Sequence, residues 1–290
     1  MRRRLDAFAG KTALITGGAS GIGRAIGAQL VIHGGKVILA DIDGQACERA
    51  ASELAATAAS AASIEDRRLD VRDEAAFRSL VDEIAERSGG LDLLFNNAGI
   101  AMGGPTDELT SAHWDRIIEV NIRGVVNGVL AAYPRMVEQG CGHIVNTASG
   151  AGLVAPPFVT AYATTKHAVV GLSTGLRAEA ALHGVRVSVL CPGSVETPIL
   201  DRVPDSDLPA TASAPVTARQ YLDSVRQKPI PASRFARQAL HDVARNKAII
   251  VVPFSAKSLW YLQRVSPWLM DHVGRVIARR VERDLVRHRT

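Results

Sequence analysis

The 290-residue chain is predicted to be α/β, a Rossmann-like, doubly wound parallel sheet of about seven strands with helices on both faces. Three observations predict it. Short β-rich runs alternate with helical stretches along most of the chain. The first run breaks into a glycine-rich turn that opens a helix. The residues that suggest chemistry fall at the carboxyl ends of the runs, or on a helix facing that edge, where such sheets bind ligands.

Thr12 to Thr16 (T-A-L-I-T) is the first predicted strand. Gly17-Gly18-Ala19-Ser20-Gly21-Ile22-Gly23 follows, and then a helix to about Val31. Strand, glycine turn and helix together present free backbone N–H groups and a positive helix end to a pyrophosphate. In the spacing G-x-x-x-G-x-G, one glycine makes the turn, one admits the phosphate, and Gly23 lets the helix pack on the sheet. The second strand, Lys36 to Ala40, ends in Asp41, which is placed to bind adenosine ribose hydroxyls and to repel a 2′-phosphate. That favours NAD over NADP. The plainer role of helix N-cap falls to Asp43, ahead of an alanine-rich helix over residues 44–62. Arg24 is a counter-signal for NADP, but it lies inside the first helix.

Arg67 to Val71 is read as the third strand, with Asp70 at its end, and Asp73 opens an amphipathic helix carrying Phe77, Leu80, Val81 and Ile84. Leu91 to Phe95 is the fourth strand, ending in Asn96-Asn97-Ala98-Gly99, whose small residues suit the approach of a flat group or a plain turn. A single helical tract is expected from Ser111 to Gln139. Asn121 sits inside it among Val120, Ile122, Val125 and Val126, as a surface residue or a polar group kept for a purpose. His143 to Thr147 is the fifth strand, ending at Ser149 and Gly150. A helix from Thr160 to Leu182 follows, then a sixth strand, Val185 to Cys191, ending in Pro192-Gly193. A helix from Ala232 to Asn246 leads into a seventh strand, Ala248 to Val252.

Within the helix from Thr160, Tyr162 and Lys166 stand one turn apart on the same face. A positive charge about 4 Å from a phenol is worth roughly 4 kcal/mol at an effective dielectric near 20. That is enough to lower a tyrosine pKa by about 3 units, toward the range useful for acid–base work. Alone, such a pair is also compatible with a buried tyrosine and an unrelated surface lysine.

Composition bounds the rest. Hydrophobic residues are 47% and charged residues 22%, ordinary for a globular protein. The net charge of +5 is concentrated at the ends: Arg2, Arg3 and Arg4, and six arginines against three acids in residues 271–290. The near-neutral middle argues against a nucleic-acid surface. Cys47, Cys141 and Cys191 are far apart with no C-x-x-C, which argues against a disulfide framework or metal site and fits a reducing cytoplasm. No secretory signal and no membrane-spanning run are read.

In order and at matching spacing, T-G-G-A-S-G-I-G (16–23), Asp70, N-N-A-G (96–99), Asn121, Ser149, Y-A-T-T-K (162–166) and P-G-S-V-E-T-P (192–198) resemble the short-chain dehydrogenase/reductase superfamily, specifically its classical subgroup, over residues 8–200. The resemblance implies catalytic roles for four residues. Tyr162 is the acid/base, Lys166 lowers its pKa and holds the nicotinamide ribose, Ser149 bonds the substrate oxygen, and Asn121 keeps a relay water. It also implies a cofactor site. Gly17, Ser20, Gly21, Ile22 and Gly23 lie along the pyrophosphate. Asp41 selects NAD at the position of the family's NAD-selecting acid, Asp70 and Val71 meet the adenine, and Asn97, Ala98 and Gly99 pass along the cofactor. Pro192, Gly193, Val195 and Thr197 hold its nicotinamide end. The expected activity is NAD-dependent interconversion of a secondary alcohol and a ketone, with oxidation the favoured direction. The alternative is an NAD-binding scaffold or redox sensor that does no chemistry. A homodimer or homotetramer is expected from the family.

One domain is expected over 1–253, with a substrate lid at about 199–231 carrying Leu200, Val203, Leu208, Val216 and Tyr221 and prolines at 204, 209, 215, 229 and 231. These apolar side chains hint at a lipophilic, steroid-like or otherwise hydrophobic substrate. Residues 254–290 form a basic amphipathic extension. Val265, Leu269, Val273, Ile277, Val281 and Leu285 recur every four residues, with Trp260, Tyr261 and Trp268 at the start. Three readings stay open for it: packing on its own domain or a partner subunit, lying on an anionic membrane surface, or covering the substrate pocket.

Overall fold

The computed structural model describes residues 5–202, 207–211 and 217–286, with Leu285 and Val286 described by backbone alone. Arg2, Arg3, Arg4, Val203, Pro204, Pro215, Val216, Arg287 and Arg289, together with the side chain of Leu285, lie outside the described residues.

Apolar runs buried on both faces form the sheet. β1 (Thr12–Thr16) is buried along its whole length, with Leu14 and Ile15 at 0% exposure. Burial of each such side chain contributes about 1.5–3 kcal/mol. β2 (Lys36–Asp41), β3 (Ser63–Arg68), β4 (Leu93–Asn96), β5 (Gly142–Thr147), β6 (Val185–Pro192) and β9 (Ile249–Val252) complete a seven-stranded parallel sheet in the order β3-β2-β1-β4-β5-β6-β9. β7 (Val195–Glu196) and β8 (Ile230–Pro231) pair separately. The order reverses between β1 and β4, so a crevice opens at their carboxyl ends. The helices are α1 (Gly21–Ile32), α2 (Gly44–Ala55), α3 (Glu74–Ser88), α4 (Ser111–Ile118), α5 (Gly124–Gln139), α6 (Thr160–Ala181), α7 (Ala218–Ser224), α8 (Ala232–Val243), α9 (Phe254–Val265) and α10 (Pro267–Val281). Two buried clusters, one around Ile15, Ile26, Leu39 and Phe235 and one around Leu14, Phe77, Ile84 and Ile144, form the core.

Four elements differ from the sequence reading. β3 covers Ser63–Arg68, not 67–71. Among the described strands it pairs with β2 alone, at the sheet edge; apart from Ile64, which packs on the core, its side chains are polar, and Glu65 and Arg67 join an ion-pair network with Glu83 and Arg87. The apolar residues that suggested a strand, Leu69 and Val71, lie past its end and turn into the core. α2 stops at Ala55, short of residue 62. The tract 111–139 is broken by a π-helical turn, Glu119–Arg123, with Asn121 at its centre. The C-terminal stripe is not one helix: the chain breaks at Ser266-Pro267 into a pair, α9 and α10, packed on each other. Of the stripe, Val265 is 82% exposed while Val281 is buried, and Met270, outside the stripe, is buried with it. Among the described residues no helix is long and apolar enough to cross a membrane.

Candidate active site

A cleft of about 760 Å³ runs along the carboxyl edge of the sheet, within the range of small-molecule sites. Its walls include Gly17, Ser20, Gly21, Ile22, Asp41, Asp70, Val71, Asn97, Ala98, Gly99, Ser149, Tyr162, Lys166, Pro192, Gly193, Val195 and Thr197. Of the residues assigned to catalysis or to the cofactor, Gly23 and Asn121 are the two that do not line it.

The crevice between β1 and β4 is tied shut underneath. Thr16 Oγ1 accepts from the backbone N–H of Asn97 (3.0 Å) and Ala98 (3.1 Å), and Asn97 Nδ2 donates to the Thr16 carbonyl (3.0 Å). Gly17 turns the chain at φ +64°, in the left-handed region that favours glycine. Gly23 has a role unlike the one expected. A Cβ there would lie 2.2 Å from the Gly17 carbonyl and 2.7 Å from Asn97 Nδ2, so this glycine lets the helix close on the turn, not on the sheet. Packing on the sheet falls to Gly18 and Gly27, which sit against Leu39. Ser20 caps α1 by backbone alone, with no side-chain cap bond. The positive helix end with its first N–H groups therefore faces the cleft, which fits an anionic phosphate.

Asp41 is half-buried and accepts from the N–H of Ala19 (3.1 Å) and of Asp43 (3.2 Å). Its carboxylate is thus fixed at the cleft while Asp43 caps α2 through Ala46 N–H. Arg24 is paired with Glu53 on α2, directed away from the role of a 2′-phosphate ligand. Asp70 is held by the Arg72 guanidinium at 2.6 Å, which keeps its carboxyl below the usual range. At the far end, a Cβ on Gly21 would touch Thr197 at 3.1 Å, so residues 192–198 fold over the start of α1.

Tyr162 and Lys166 lie on the first two turns of α6. Lys166 is buried (3% exposed), and its ammonium donates to the Thr147 carbonyl at 3.1 Å and sits 5.6 Å from the centre of the Tyr162 ring. Burial lowers the Lys166 pKa to about 8. The Tyr162 phenol is raised from its ordinary value by burial, and its hydrogen bond with Ser149 opposes that rise. The expected fall in the tyrosine pKa is therefore not present in the protein alone: the ammonium is turned to the Thr147 carbonyl, and desolvation dominates. Beneath the pair, burial pushes the Cys191 thiol up to about 12, so it stays neutral. Ser149 also accepts from Ala151 N–H (3.1 Å), which fixes its hydroxyl at the head of the 150–152 turn.

Asn121 is fully buried and bonds three ways. Its Oδ1 accepts from Ile100 N–H at 2.9 Å, and its Nδ2 donates to the Ile100 carbonyl at 3.0 Å and to Thr165 Oγ1 at 3.1 Å. It clamps the loop after β4 onto the turn of α6 between Tyr162 and Lys166. A Cβ on Gly99 would meet both Asn121 Oδ1 (3.1 Å) and Lys166 Nζ (3.3 Å), so Gly99 lets this loop approach the lysine.

The end of the cleft beyond Tyr162 is walled by Met102, Val154, Phe158, Leu200, Tyr221 and Leu259. Phe158 holds φ +62°, and its carbonyl accepts from Gly104 N–H at 2.8 Å. The segment expected to be a lid supplies Leu200, Tyr221 and Leu222 to this wall, and Leu208 packs near Tyr162. It is latched by Arg116 to Asp207 (2.6 Å) and by Arg219, which joins Glu196 and Asp201. Sequence reasoning missed Phe158, Thr147, Ala256 and Leu259. The last two reach the cleft from α9, which favours the covering role for the start of the C-terminal segment.

Comparison with known proteins places these features in context. The model of the short chain dehydrogenase family matches residues 11–207. Levodione reductase from Leifsonia aquatica is 37% identical over 195 residues, which is 67% of this chain and 73% of that protein. The 2,5-dichloro-2,5-cyclohexadiene-1,4-diol dehydrogenase of Sphingobium indicum is 40% identical over 202 residues, 69% of this chain and 78% of that protein. Among solved structures, a short chain dehydrogenase/reductase from Burkholderia phymatum in complex with NAD superposes with a TM-score of 0.81 at 35% identity, over 90% of this chain and 95% of that one.

Proposed function

The chain belongs to the short-chain dehydrogenase family, and on that premise we propose that it is an NAD(H)-dependent oxidoreductase that interconverts a lipophilic secondary alcohol and its ketone, with Tyr162 as general acid/base. One observation carries the reading. The Tyr162 phenol, the Ser149 hydroxyl and the Lys166 ammonium border the same cleft whose other arm holds the N-terminus of α1, which has no side-chain cap, and a fixed carboxylate at Asp41.

In this reading the α1 N-terminus and the turn 17–23 hold the pyrophosphate, and Asp41 bonds the adenosine ribose diol. A 2′-phosphate meets the Asp41 charge, and Arg24 is already paired with Glu53. The group these residues would hold, NAD, would supply a hydride acceptor or donor for the carbinol carbon. The protein supplies the proton chemistry. In oxidation, the Tyr162 phenolate accepts the substrate hydroxyl proton as the hydride leaves that carbon; in reduction the phenol returns a proton to the carbonyl oxygen. Ser149 donates a hydrogen bond to the same oxygen. Lys166, with a pKa near 8, provides a charge that favours the phenolate and binds a ribose hydroxyl. Asn121 holds Thr165 and Ile100 in place for this arrangement, and the relay water expected of the family completes the proton route.

The apolar end of the cleft supports a hydrophobic substrate, and the names of the two relatives, a reductase and a diol dehydrogenase, agree with carbonyl–alcohol chemistry. We place the protein in the cytoplasm, in line with its three free cysteines, as a homodimer or homotetramer whose contact with membranes is peripheral. The test is absorbance at 340 nm with NAD⁺ or NADP⁺ over steroid, alicyclic and aliphatic secondary alcohols. Turnover of hydrophobic alcohols with NAD⁺ is expected. NADH binding without turnover of any alcohol or ketone overturns the reading in favour of a silent cofactor-binding protein.

A further inference from the structure

The C-terminal helix pair has two faces of different chemistry. The inner face belongs to the protein. Ala256 and Leu259 line the cleft, α9 packs on the 150–152 turn beside Ser149, and Met270 and Val281 are buried. α10 and the turn after it pack on α7, the helix that carries Tyr221 into the cleft wall.

The outer face is apolar and exposed. Eleven large hydrophobic side chains stand exposed among the described residues, and seven belong to this helix pair: Leu259, part-exposed at the cleft, and, outside the cleft lining, Phe254, Tyr261, Val265, Trp268, Leu269 and Val276. Such concentration in one segment is unlike the scattered exposure normal for a protein surface. At about 100° per residue, Phe254, Tyr261 and Val265 fall within roughly 40° of one another on α9. Phe254 is 78% and Val265 82% exposed. Lys257 and Arg264 flank them, with Lys257 Nζ 5.6 Å from the centre of the Tyr261 ring and the Arg264 guanidinium 5.5 Å from the centre of the Trp260 ring. On α10 the same arithmetic interleaves Trp268 (78% exposed), Leu269 and Val276 with Arg275 and Arg279. Over residues 254–286 six bases (Lys257, Arg264, Arg275, Arg279, Arg280, Arg283) stand against three acids (Asp271, Glu282, Asp284).

We propose that this outer face docks the enzyme on an anionic lipid bilayer, with the substrate end of the cleft directly behind the docked helices. This rests on the peripheral-membrane reading above and deepens it by naming the surface and the sign of the lipid charge. Aromatic and aliphatic side chains interleaved with Arg and Lys are the composition of helices that lie in the bilayer interface, with rings at headgroup depth and cationic heads in the phosphate layer. The charge decides between this occupant and a second copy of the chain. A two-fold contact through this face sets one arginine array against its own duplicate, whereas anionic headgroups neutralise it. Docking here gives a lipophilic alcohol a route from the bilayer along α9 to Leu259, without passage through bulk water.

The experiment is co-sedimentation of the full-length protein with vesicles of about 30 mol% phosphatidylglycerol in phosphatidylcholine, with pure phosphatidylcholine vesicles as the comparison. Most of the protein is expected to pellet with the anionic vesicles and little with the neutral ones, with binding strongly reduced at about 0.5 M salt. The variant Phe254→Ser/Val265→Ser/Trp268→Ser is expected to lower partitioning by at least about tenfold. Its melting temperature and its turnover of a water-soluble alcohol should not change, because none of the three side chains lines the cleft. Arg275→Glu/Arg279→Glu should remove the preference for anionic over neutral vesicles. Equal pelleting of wild type and the triple variant, or no pelleting of wild type, overturns the proposal. So does a triple variant whose mass by light scattering drops while its lipid partitioning is unchanged, since a second copy then covers the face. Vesicle partitioning and light scattering do not depend on catalysis, so failure of lipid docking and failure of the dehydrogenase reading are separable.

Discussion

Replacing Asn121 with Ala tests how the fold assembles the site. The side chain is fully buried and makes three hydrogen bonds, two to Ile100 and one to Thr165. At about 1 kcal/mol net for each, removal costs roughly 3 kcal/mol, and the Ile100 N–H and carbonyl lose their partner as well. For a chain of 290 residues, an unfolding entropy of about 2.1 cal/mol/K per residue turns this into a fall in melting temperature of about 5 °C. The functional loss should be larger than the thermal one implies. Ile100 follows Gly99, which abuts Lys166, and Thr165 lies between Tyr162 and Lys166. A loop freed by even a fraction of an ångström misplaces the proton-transfer group, so kcat/KM should fall by at least about tenfold. Asn121→Asp sharpens the test. It still accepts from Ile100 N–H, but it sets an oxygen against the Ile100 carbonyl where an amide donor stood. It should therefore be no more stable than the alanine variant. Thermal unfolding followed by circular dichroism, with turnover at 340 nm, checks both. A melting temperature within about 1 °C of wild type and kcat/KM within about twofold would refute the clamp.

Three further outcomes are expected. His143 is buried beside Ser188, and burial with the nearby Arg186 and Arg177 charges pushes its pKa down to about 3. Between pH 6.5 and 3 the unfolded chain binds a proton that the native protein refuses, so stability falls as pH falls, by about 1.4 kcal/mol per unit. Urea unfolding at pH 7 and 4.5 should show wild type losing roughly 2–3 kcal/mol more than His143→Gln; equal losses contradict the assignment. Asp41→Ala removes a charged acceptor from the proposed ribose site, so NAD⁺ affinity measured by fluorescence titration should drop about tenfold while NADP⁺ affinity rises; an unchanged ratio excludes Asp41 as the selector. Gly23→Ala drives a methyl group to 2.2 Å from the Gly17 carbonyl and displaces the turn. Overpacking of this kind costs about 1–3 kcal/mol, and NADH binding should weaken with it; unaltered binding would mean the turn does not hold the cofactor.

Much of the site is legible because local chemistry fixes it. The glycine turn, Asp41 at the end of β2, N-N-A-G, and the pair Tyr162 and Lys166 each depend on a few adjacent residues, and the parallel topology brings them to one edge. β3 is hidden from pattern reading because an edge strand tolerates a mostly polar sequence, while the apolar residues beside it, Leu69 and Val71, belong to the following turn. The π turn at Asn121 is not visible in hydrophobic periodicity, since one extra residue per turn hardly alters the pattern. Gly23 was assigned the wrong neighbour because the contact that requires it comes from Gly17 and Asn97. Phe158, Ala256 and Leu259 carry no local signal at all. They reach the cleft only through packing between segments distant in sequence, whereas the break at Ser266-Pro267 has a local cause, a proline at the first position of α10, which the four-residue spacing of the stripe masks.

The central claim is that Tyr162 moves the proton. Phe at this position keeps the ring in its packing against Met102 and Ile117 and removes only the hydroxyl that bonds Ser149. The decisive measurement is kcat of Tyr162→Phe on an alcohol turned over by wild type, alongside its NADH dissociation constant. The account predicts a fall in kcat of about 10²–10⁴ with NADH binding within about threefold of wild type. Turnover within tenfold of wild type, with binding intact, would contradict it.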